Sequence, residues 1–441
     1  MTVEAPAPTQ FGEPVLRWRE RAHSIDEIES ALARIWASQD LTVTEDGQPG
    51  RRIAARTSVM NLVVVARRPE YSERCAATMQ MLTGRHPSRT IVIQSADPDG
   101  PSWLDARIEA HCVLPRPDAP ETCAETIHVT CGGEAGRHLS AIATPLVVHD
   151  LPVTIWWPGE PPFRERAAID LLAGSDRLIV DGSSWSGDGL ARLREMADLA
   201  GSTSVAISDF ALIRQSRWRE AIASIFDDPE FMPYLRSLRR IAVTYGTHDE
   251  TGALGSTNLV KPIYHVGWLA SRLDLSVVRP LAEAGGHGRA GSGASRGTRP
   301  GAGASKPVIS RGLVATLSDG RAEVGVVIRP VVSSTPPGTT LRVELLAERR
   351  GSELRADVTA EAETVHVRVW LDGVEALDRS FRAPRRTEVE LLAEAIESGG
   401  RDPVAVGALR SAARIVGADD AARDGHDGAV DGTAGKSGGP R

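Results

Sequence analysis

Near the start of the chain the apolar positions recur at helical spacing. Ile25, Ile28, Leu32, Ile35 and Trp36 fall on one face. Ser24-Ile25-Asp26-Glu27, just ahead of them, is a capping-box pattern, in which a hydroxyl and a carboxylate take up free N–H groups at a helix start. Asp46-Gly47-Gln48-Pro49-Gly50 then breaks the chain. From Thr57 short apolar runs alternate with helical stretches. Leu62–Ala66 is apolar throughout, as a strand buried on both faces requires. The pattern predicts a helix over 70–82, strands at 90–93, 106–113 and 125–130, and a helix over 137–148 leading into a strand at 152–157. A second alternating stretch starts at Asp176, with strands expected at 177–181, 204–207 and 240–245 and helices at 189–200, 218–226 and 258–273.

Beyond residue 307 the period switches to two. Val365, Val367, Val369 and Leu371 face one side of an expected strand, and His366, Arg368 and Trp370 face the other. Ser318-Asp319-Gly320-Arg321 is a hairpin turn signal between runs at 308–317 and 322–329. Further strands are expected at 341–347, 353–359 and 375–382, then helices at 387–398 and 403–416. Asp402-Pro403 supplies an N-cap followed by proline at the first helical position.

These shifts divide the chain. An N-terminal arm and helix span 1–50, and an α/β domain spans 51–173. The α/β first part of a second domain covers 174–281. A Gly/Ala/Arg-rich insertion (282–307) precedes a β-rich second part with two closing helices (308–416) and a Gly/Asp-rich tail (417–441). The expected fold class is a mixed-sheet α/β, Rossmann-like N-terminal part followed by an α+β, β-meander-rich C-terminal part. The insertion and the tail have too few large apolar residues to bury a core and are expected to be flexible. A basic segment at 285–306 could also engage an acidic surface.

Charge and composition narrow the function. With 51 Lys and Arg against 58 Asp and Glu, the net charge of −7 argues against a dedicated nucleic-acid binder. The longest purely apolar run, near 62–66, is far short of the ~20 residues of a membrane span. No basic start followed by an apolar core marks a secretory signal, and four Cys are too few for a disulfide framework, so a reducing cytoplasm is the expected compartment. Aromatics are only 4% of the chain, and 9 of them are Trp, which makes each Trp worth placing.

Candidate chemistry is sparse. The turn after the first buried strand is Arg67-Arg68-Pro69-Glu70, without the glycines of a dinucleotide fingerprint. Gly132, Gly133, Gly136 and Arg137 form a glycine-rich turn between a strand and a helix that could cradle an anion, although Glu134 opposes one. It lacks the Lys-Ser/Thr of a P-loop. Cys75, Cys112, Cys123 and Cys131 contain no C-x-x-C. His111 and His128 with three of these thiols make a conceivable but irregularly spaced metal cluster. No G-x-S-x-G elbow or convincing carboxylate pair occurs. Catalytic residues, metal and cofactor are therefore all expected to be absent. Ile155-Trp156-Trp157-Pro158-Gly159-Glu160 is the most distinctive stretch. Adjacent strand residues face opposite ways, so one Trp could pack inside while the other meets a domain seam or a partner, or both could be buried between domains.

Four stretches together resemble the bacterial glucose-6-phosphate dehydrogenase assembly protein family, OpcA. They are Asn61–Ala66, His86-Pro87-Ser88-Arg89, Asp150 through Trp-Trp-Pro-Gly at 156–159, and Ser208-Asp209 through Arg214 to Trp218-Arg219. The similarity runs from about Thr57 to Leu273 and more loosely to Val416. Leu212 and Arg217 depart from the family pattern, which often has Trp and Pro there. The resemblance implies a non-catalytic cytoplasmic regulator that binds glucose-6-phosphate dehydrogenase and favours its active oligomer, activating the pentose phosphate pathway. It marks Trp156, Trp157, Pro158, Gly159, Glu160, Arg214, Trp218 and Arg219 as expected partner contacts. The alternative is a sugar-phosphate- or nucleotide-binding α/β enzyme or sensor, with the Gly132–His138 turn and Arg89 as its candidates.

Overall fold

The computed structural model describes residues 13–37, 42–45, 48–53, 55–56, 58–97, 99–114, 122–248, 257–284 and 312–417. The chain begins with β1 (Val15–Ala22), α1 (Ile25–Ala37), β2 (Thr42–Glu45), β3 (Gln48–Ile53), β4 (Ala55–Arg56), β5 (Met60–Ala66) and α2 (Pro69–Met81). It continues through β6 (Ser88–Ser95), β7 (Trp103–Val113), β8 (Thr122–Gly132), α3 (Glu134–Arg137), α4 (Leu139–Leu146), β9 (Val153–Trp157) and α5 (Arg166–Ala173). Next come β10 (Arg177–Val180), α6 (Leu190–Ser202), β11 (Ala206–Asp209), α7 (Phe210–Ile213) and α8 (Ser216–Ile225).

These elements build a nine-stranded sheet in the order β1-β7-β8-β6-β5-β9-β10-β11, with β4 beside β8. The run from β8 to β11 is parallel, and β7 and β1 add an antiparallel edge. From β5, the chain winds outward through β6 to β8 and then returns to lay β9, β10 and β11 on the other side. That is the doubly wound, Rossmann-like order, with its switch point between β5 and β9. Every residue of β5 is buried, because helices cover both faces. Val63, Val65, Ile91 and Ile155 pack with α1, α4, α5 and α6, whereas Leu62, Val64, Val92 and Trp156 pack with α2.

The second sheet contains β12 (Leu238–Thr247), β13 (Ser276–Glu283), β14 (Leu313–Ser318), β15 (Glu323–Val332), β16 (Thr340–Arg349), β17 (Ser352–Ala360), β18 (Thr364–Leu371) and β19 (Val374–Arg382). Its order is β13-β14-β15-β12-β16-β17-β18-β19, antiparallel except at β12–β15. One face packs against α8, α9 (Val260–Arg272) and α11 (Pro403–Val416). α9 is buried almost all round, and Gly267 lets α11 approach so closely that a Cβ there would lie 2.6 Å from the Ala408 carbonyl oxygen. Among the described residues no α-helix packs on the other face. There Arg329 pairs with Glu344, Arg342 pairs with Asp357, and Arg355 lies over the half-buried Trp370 ring at 5.0 Å. α10 (Glu388–Glu397) leaves this half and packs Leu391 and Leu392 under the first sheet beside Trp156.

Local signals hold where their chemistry is local. Ser24 Oγ accepts the Glu27 N–H at 3.2 Å. Thr387 and Glu390 form a complete capping box, and Asp402 caps α11. Asp319 accepts the Arg321 and Ala322 N–H groups in the β14–β15 turn, with Gly320 at φ 83°.

Three features were not visible in the sequence. β1 closes the edge of the first sheet against β7, and α1 packs in the same core. The boundary expected at 173/174 does not part the sheets, because β10 and β11 extend the first sheet while β12 begins the second. Finally, Cys112 and Cys123 are joined by a disulfide, since the β7–β8 register sets them directly opposite each other. Cys75 and Cys131 are free and buried. The 285–306 insertion and the tail beyond Gly417 lie outside the described residues.

Candidate functional site

A doubly wound sheet offers its ligand crevice at the carboxyl ends of the strands on either side of the switch point. Here that crevice is a cavity of about 830 Å³ lined by Val65, Ser95, Trp157, Gly136 and the start of α5. Its geometry does not provide for a dinucleotide. α2 opens with Pro69 after two arginines, so no glycine turn lets backbone approach a pyrophosphate. The charges around the crevice neutralise one another: Arg67 with Glu165, Arg166 with Asp170, and Arg137 with Asp99 and Glu134.

The Gly132–Arg137 turn sits on this rim, and three of its N–H groups are already used. Gly133 N–H donates to the Asp97 carbonyl, Glu134 N–H to Ser102 Oγ, and Gly136 N–H to the Gly133 carbonyl. The glycines serve packing. A Cβ on Gly132 would lie 2.3 Å from Trp103 Nε1, and Gly133 adopts φ 59° with its Cβ position 2.7 Å from the Gly100 carbonyl oxygen. Arg89 is not part of this rim. It stands at the amino end of β6, six residues or about 20 Å from Ser95 at the other end. There it is buried against Glu125, which also accepts from Trp36 Nε1 at 2.7 Å.

The two tryptophans are both interior. Trp156 is 1% exposed and Trp157 2%. They point to opposite faces of β9, Trp157 into the core under α4 and α5, Trp156 into the seam beneath α10, where it meets Phe210 at 6.0 Å between ring centroids. Both rings are buried in this structure, so the expected contact role of the pair would need the packing around them to open. Pro158 is buried too, Gly159 and Glu160 are half-buried, and Glu160 accepts the Ser186 N–H at 2.6 Å.

The remaining expected residues converge elsewhere. Beyond the carboxyl ends of β10 and β11, Asp181, Asp209 and Arg214 form one polar cluster. Arg214 Nη1 lies 2.7 Å from Asp181 Oδ1 and 3.0 Å from Ser183 Oγ. Burial pushes the Asp181 carboxyl up, but the Arg214 guanidinium and the Ser183 donors outweigh it and hold the carboxyl below its usual value. Asp209 accepts from the Gly182 and Ala211 N–H groups and from the Tyr264 hydroxyl. Burial, with the Asp181 charge, still raises it to about 6. With three donors at 2.8–2.9 Å it acts as a structural clamp on the loop after β10 and on α7.

This cluster borders a second cavity, of about 360 Å³, enclosed by α8, the start of α9, the strand entry at Thr339–Thr340 and the segment before α10. Arg214, Arg217, Lys261, Arg385 and Arg386 all reach it. Trp218, 4% exposed, forms one wall, edge-on to His265 at 5.3 Å. Arg219 lies behind this wall and donates to the Leu212 carbonyl at 2.7 Å. Burial and the nearby Arg214 charge push Lys261 down to about 8. Sequence reading flagged Arg214 and Trp218, but Lys261, His265 and Arg385 carried no local signal. Among the described residues no group of three or more His, Cys, Asp or Glu could hold a metal, and no helix is long and apolar enough to cross a membrane.

Both halves of the chain match known domains. Residues 79–198 match the family described as the glucose-6-phosphate dehydrogenase subunit N-terminal domain, and residues 205–408 match the corresponding C-terminal domain. The two matches cover about three-quarters of the chain. The chain belongs to the glucose-6-phosphate dehydrogenase assembly family, OpcA. The family boundary at 198–205 falls between β10 and β11, within the first sheet. Two relatives bear the name OxPP cycle protein OpcA. The one from Synechocystis is 26% identical over 198 residues, covering 45% of this chain and 39% of its own length. The one from Nostoc punctiforme is 25% identical over 185 residues, covering 41% and 37%. The chain thus aligns with about two-fifths of either OpcA relative. Among solved structures, an oxidoreductase from Bacillus subtilis superposes over 82% of this chain and 95% of its own, with a TM-score of 0.42 and 11% identity.

Proposed function

We propose that this protein is a non-catalytic partner of glucose-6-phosphate dehydrogenase that binds the enzyme and favours its active oligomer. Membership of the assembly family through both halves of the chain carries this reading. The crevice supports it: a doubly wound sheet with no glycine turn and with its charges internally paired is a frame for presenting surface, not for hydride transfer. Activation would follow from linkage, since a protein that binds only the competent form of an enzyme draws its population toward that form.

The surface assigned to the contact is the open face of the second sheet. It is broad, no helix among the described residues is needed to satisfy it, and it presents Trp370 beneath Arg355, residue types that anchor interfaces. Size-exclusion chromatography with light scattering on the purified chain mixed with purified dehydrogenase tests the reading. A complex is expected, weakened by Trp370→Ala with Arg368→Glu. Two proteins that elute separately at micromolar concentrations would sink it.

A further inference from the structure

The second sheet ends in a long free edge. β19 is its last strand, and among the described residues no strand pairs with the outer side of β19. The inner side bonds to β18. Ala383 N–H donates to the Glu363 carbonyl at 2.9 Å or less, and Phe381, Arg379 and Leu377 lie opposite Val365, Val367 and Val369. Antiparallel bonding alternates along a strand, so these residues turn their N–H and C=O groups toward β18. Asp378, Ser380 and Arg382 turn theirs outward, and all three are exposed. The pairing with β18 is regular from Leu377 onward, its irregularity lying at Val369/Trp370. A regular edge with outward N–H and C=O groups is a template for another strand.

The charges on this edge select the strand that fits. A second copy paired antiparallel is related by a two-fold axis normal to the sheet, which keeps each side chain on its own face. The axis must then pass beside one residue, which meets itself. Centring on Asp378 sets carboxylate against carboxylate, and centring on Arg379 or Arg382 sets guanidinium against guanidinium. Centring on Leu377 runs into the irregular end of the strand. Centring on Phe381 puts Asp378 opposite Pro384, which has no N–H to give. Centring on Ser380 avoids all of these. Asp378 then faces Arg382 of the second copy, and Arg382 faces its Asp378, so opposite charges meet on both sides of the axis. On the other face Leu377 meets Ala383, and Arg379 meets Phe381. The serines exchange main-chain hydrogen bonds, and so does each Asp378–Arg382 pair. Arg382 also touches Glu363 at 3.4 Å, but both side chains are largely exposed and such a pair is worth little.

We propose that this protein self-associates through β19, in an antiparallel dimer centred on Ser380 that joins the second sheets of two copies into one. The paired segment is short, roughly 20 Å long. A single strand pairing of that length falls below the ~1,200–2,000 Å² of a stable interface, so the dimer is reversible, with a dissociation constant in the micromolar range or above. The axis leaves the face that carries Trp370 and Arg355 on the same side in both copies. A dimer therefore presents twice the surface assigned to the dehydrogenase. That consequence rests on the proposed function; the pairing itself does not.

Sedimentation velocity on the full chain alone, from micromolar to sub-millimolar concentration, tests it. A concentration-dependent equilibrium between monomer and dimer is expected. Ser380→Pro removes the central N–H and leaves the bonds to β18 in place, and is expected to weaken the dimer at least about tenfold. Asp378→Arg, which sets arginine against arginine twice, is expected to do the same. Asp378→Arg with Arg382→Asp restores opposite charges in this register and is expected to recover most of the affinity. A circular-dichroism melt of each variant shows that it is folded. A chain that stays monomeric throughout the range would overturn the proposal. So would a dimer unchanged in folded Ser380→Pro, or a double variant no tighter than Asp378→Arg. Each of these results leaves the dehydrogenase reading standing, because that reading is tested on mixtures with the enzyme.

Discussion

Replacing Trp156 separates a structural tryptophan from a contact residue. The ring is 1% exposed and shares its buried cluster with Leu62, Val64, Ile179, Phe210, Leu391 and Leu392. Those residues come from the first sheet, from α7 and from α10, so the indole ties the C-terminal helix to the N-terminal sheet. Its Nε1 has no hydrogen-bond partner, so truncation forfeits packing and no hydrogen bond. Trp156→Ala should cost about 3–5 kcal/mol. Of this, ~0.5–1.5 kcal/mol belongs to the tilted pair with Phe210. Against a total stability of about 5–15 kcal/mol this is a large fraction. Trp156→Phe keeps an aromatic ring against Phe210 and removes the unmatched N–H, so it should recover part of the loss. The assay is guanidinium denaturation followed by circular dichroism, with limited proteolysis between β19 and α10 as a second readout. The alanine variant should show a lower midpoint and faster cleavage, with phenylalanine between it and the wild type. An unchanged midpoint together with weaker binding to the dehydrogenase would refute the burial argument, because that is how a surface anchor behaves.

Other perturbations test other parts of the fold. Arg89→Met removes the buried guanidinium that pairs with Glu125 and should lower the unfolding free energy by about 3–5 kcal/mol, read from denaturant titration and partly restored by adding Glu125→Gln. His265 is held near 3 by burial and by the Arg219 and Lys261 charges, against 6.5 when free. The unfolded chain therefore takes up a proton below about pH 6.5 that the folded chain refuses. Stability present above that pH is lost as pH falls, by about 2 kcal/mol at pH 5. His265→Phe should flatten the difference between denaturation curves at pH 7.5 and pH 5. Gly267→Val drives a side chain into the Ala408 carbonyl and Ala412, forcing α9 and α11 apart at a cost of about 1–3 kcal/mol, read as a lower melting temperature.

What the sequence made legible follows the range of the forces involved. The buried strand at 62–66, the caps at Ser24, Thr387 and Asp402, and the Asp319-Gly320 turn each depend on neighbours within a few residues. β1 escaped notice because Arg17, Arg19, Glu20 and Arg21 interrupt its apolar residues; it is a strand because β7 offers an edge. The Trp pair could be assigned opposite faces from strand geometry, but only the packing of α10, more than 200 residues later, shows that the Trp156 face is closed. The glycines at 132–136 look like a phosphate turn in sequence, and the segment 100–103 that needs them for close approach is visible only in three dimensions. Cys112 and Cys123 pair because of a register that their spacing did not disclose. The cationic cavity was least legible of all, since its walls come from positions as distant as Ser183 and Arg386.

The central claim is that this chain raises dehydrogenase activity by acting on the enzyme's assembly and not by chemistry of its own. Initial rates of purified glucose-6-phosphate dehydrogenase, measured with increasing amounts of the chain and paired with sedimentation velocity on the same mixtures, test it most directly. The account predicts that activity rises to saturation in step with a shift to a larger enzyme species, while the chain alone shows no turnover. An unchanged rate and an unchanged sedimentation profile at micromolar excess would contradict it.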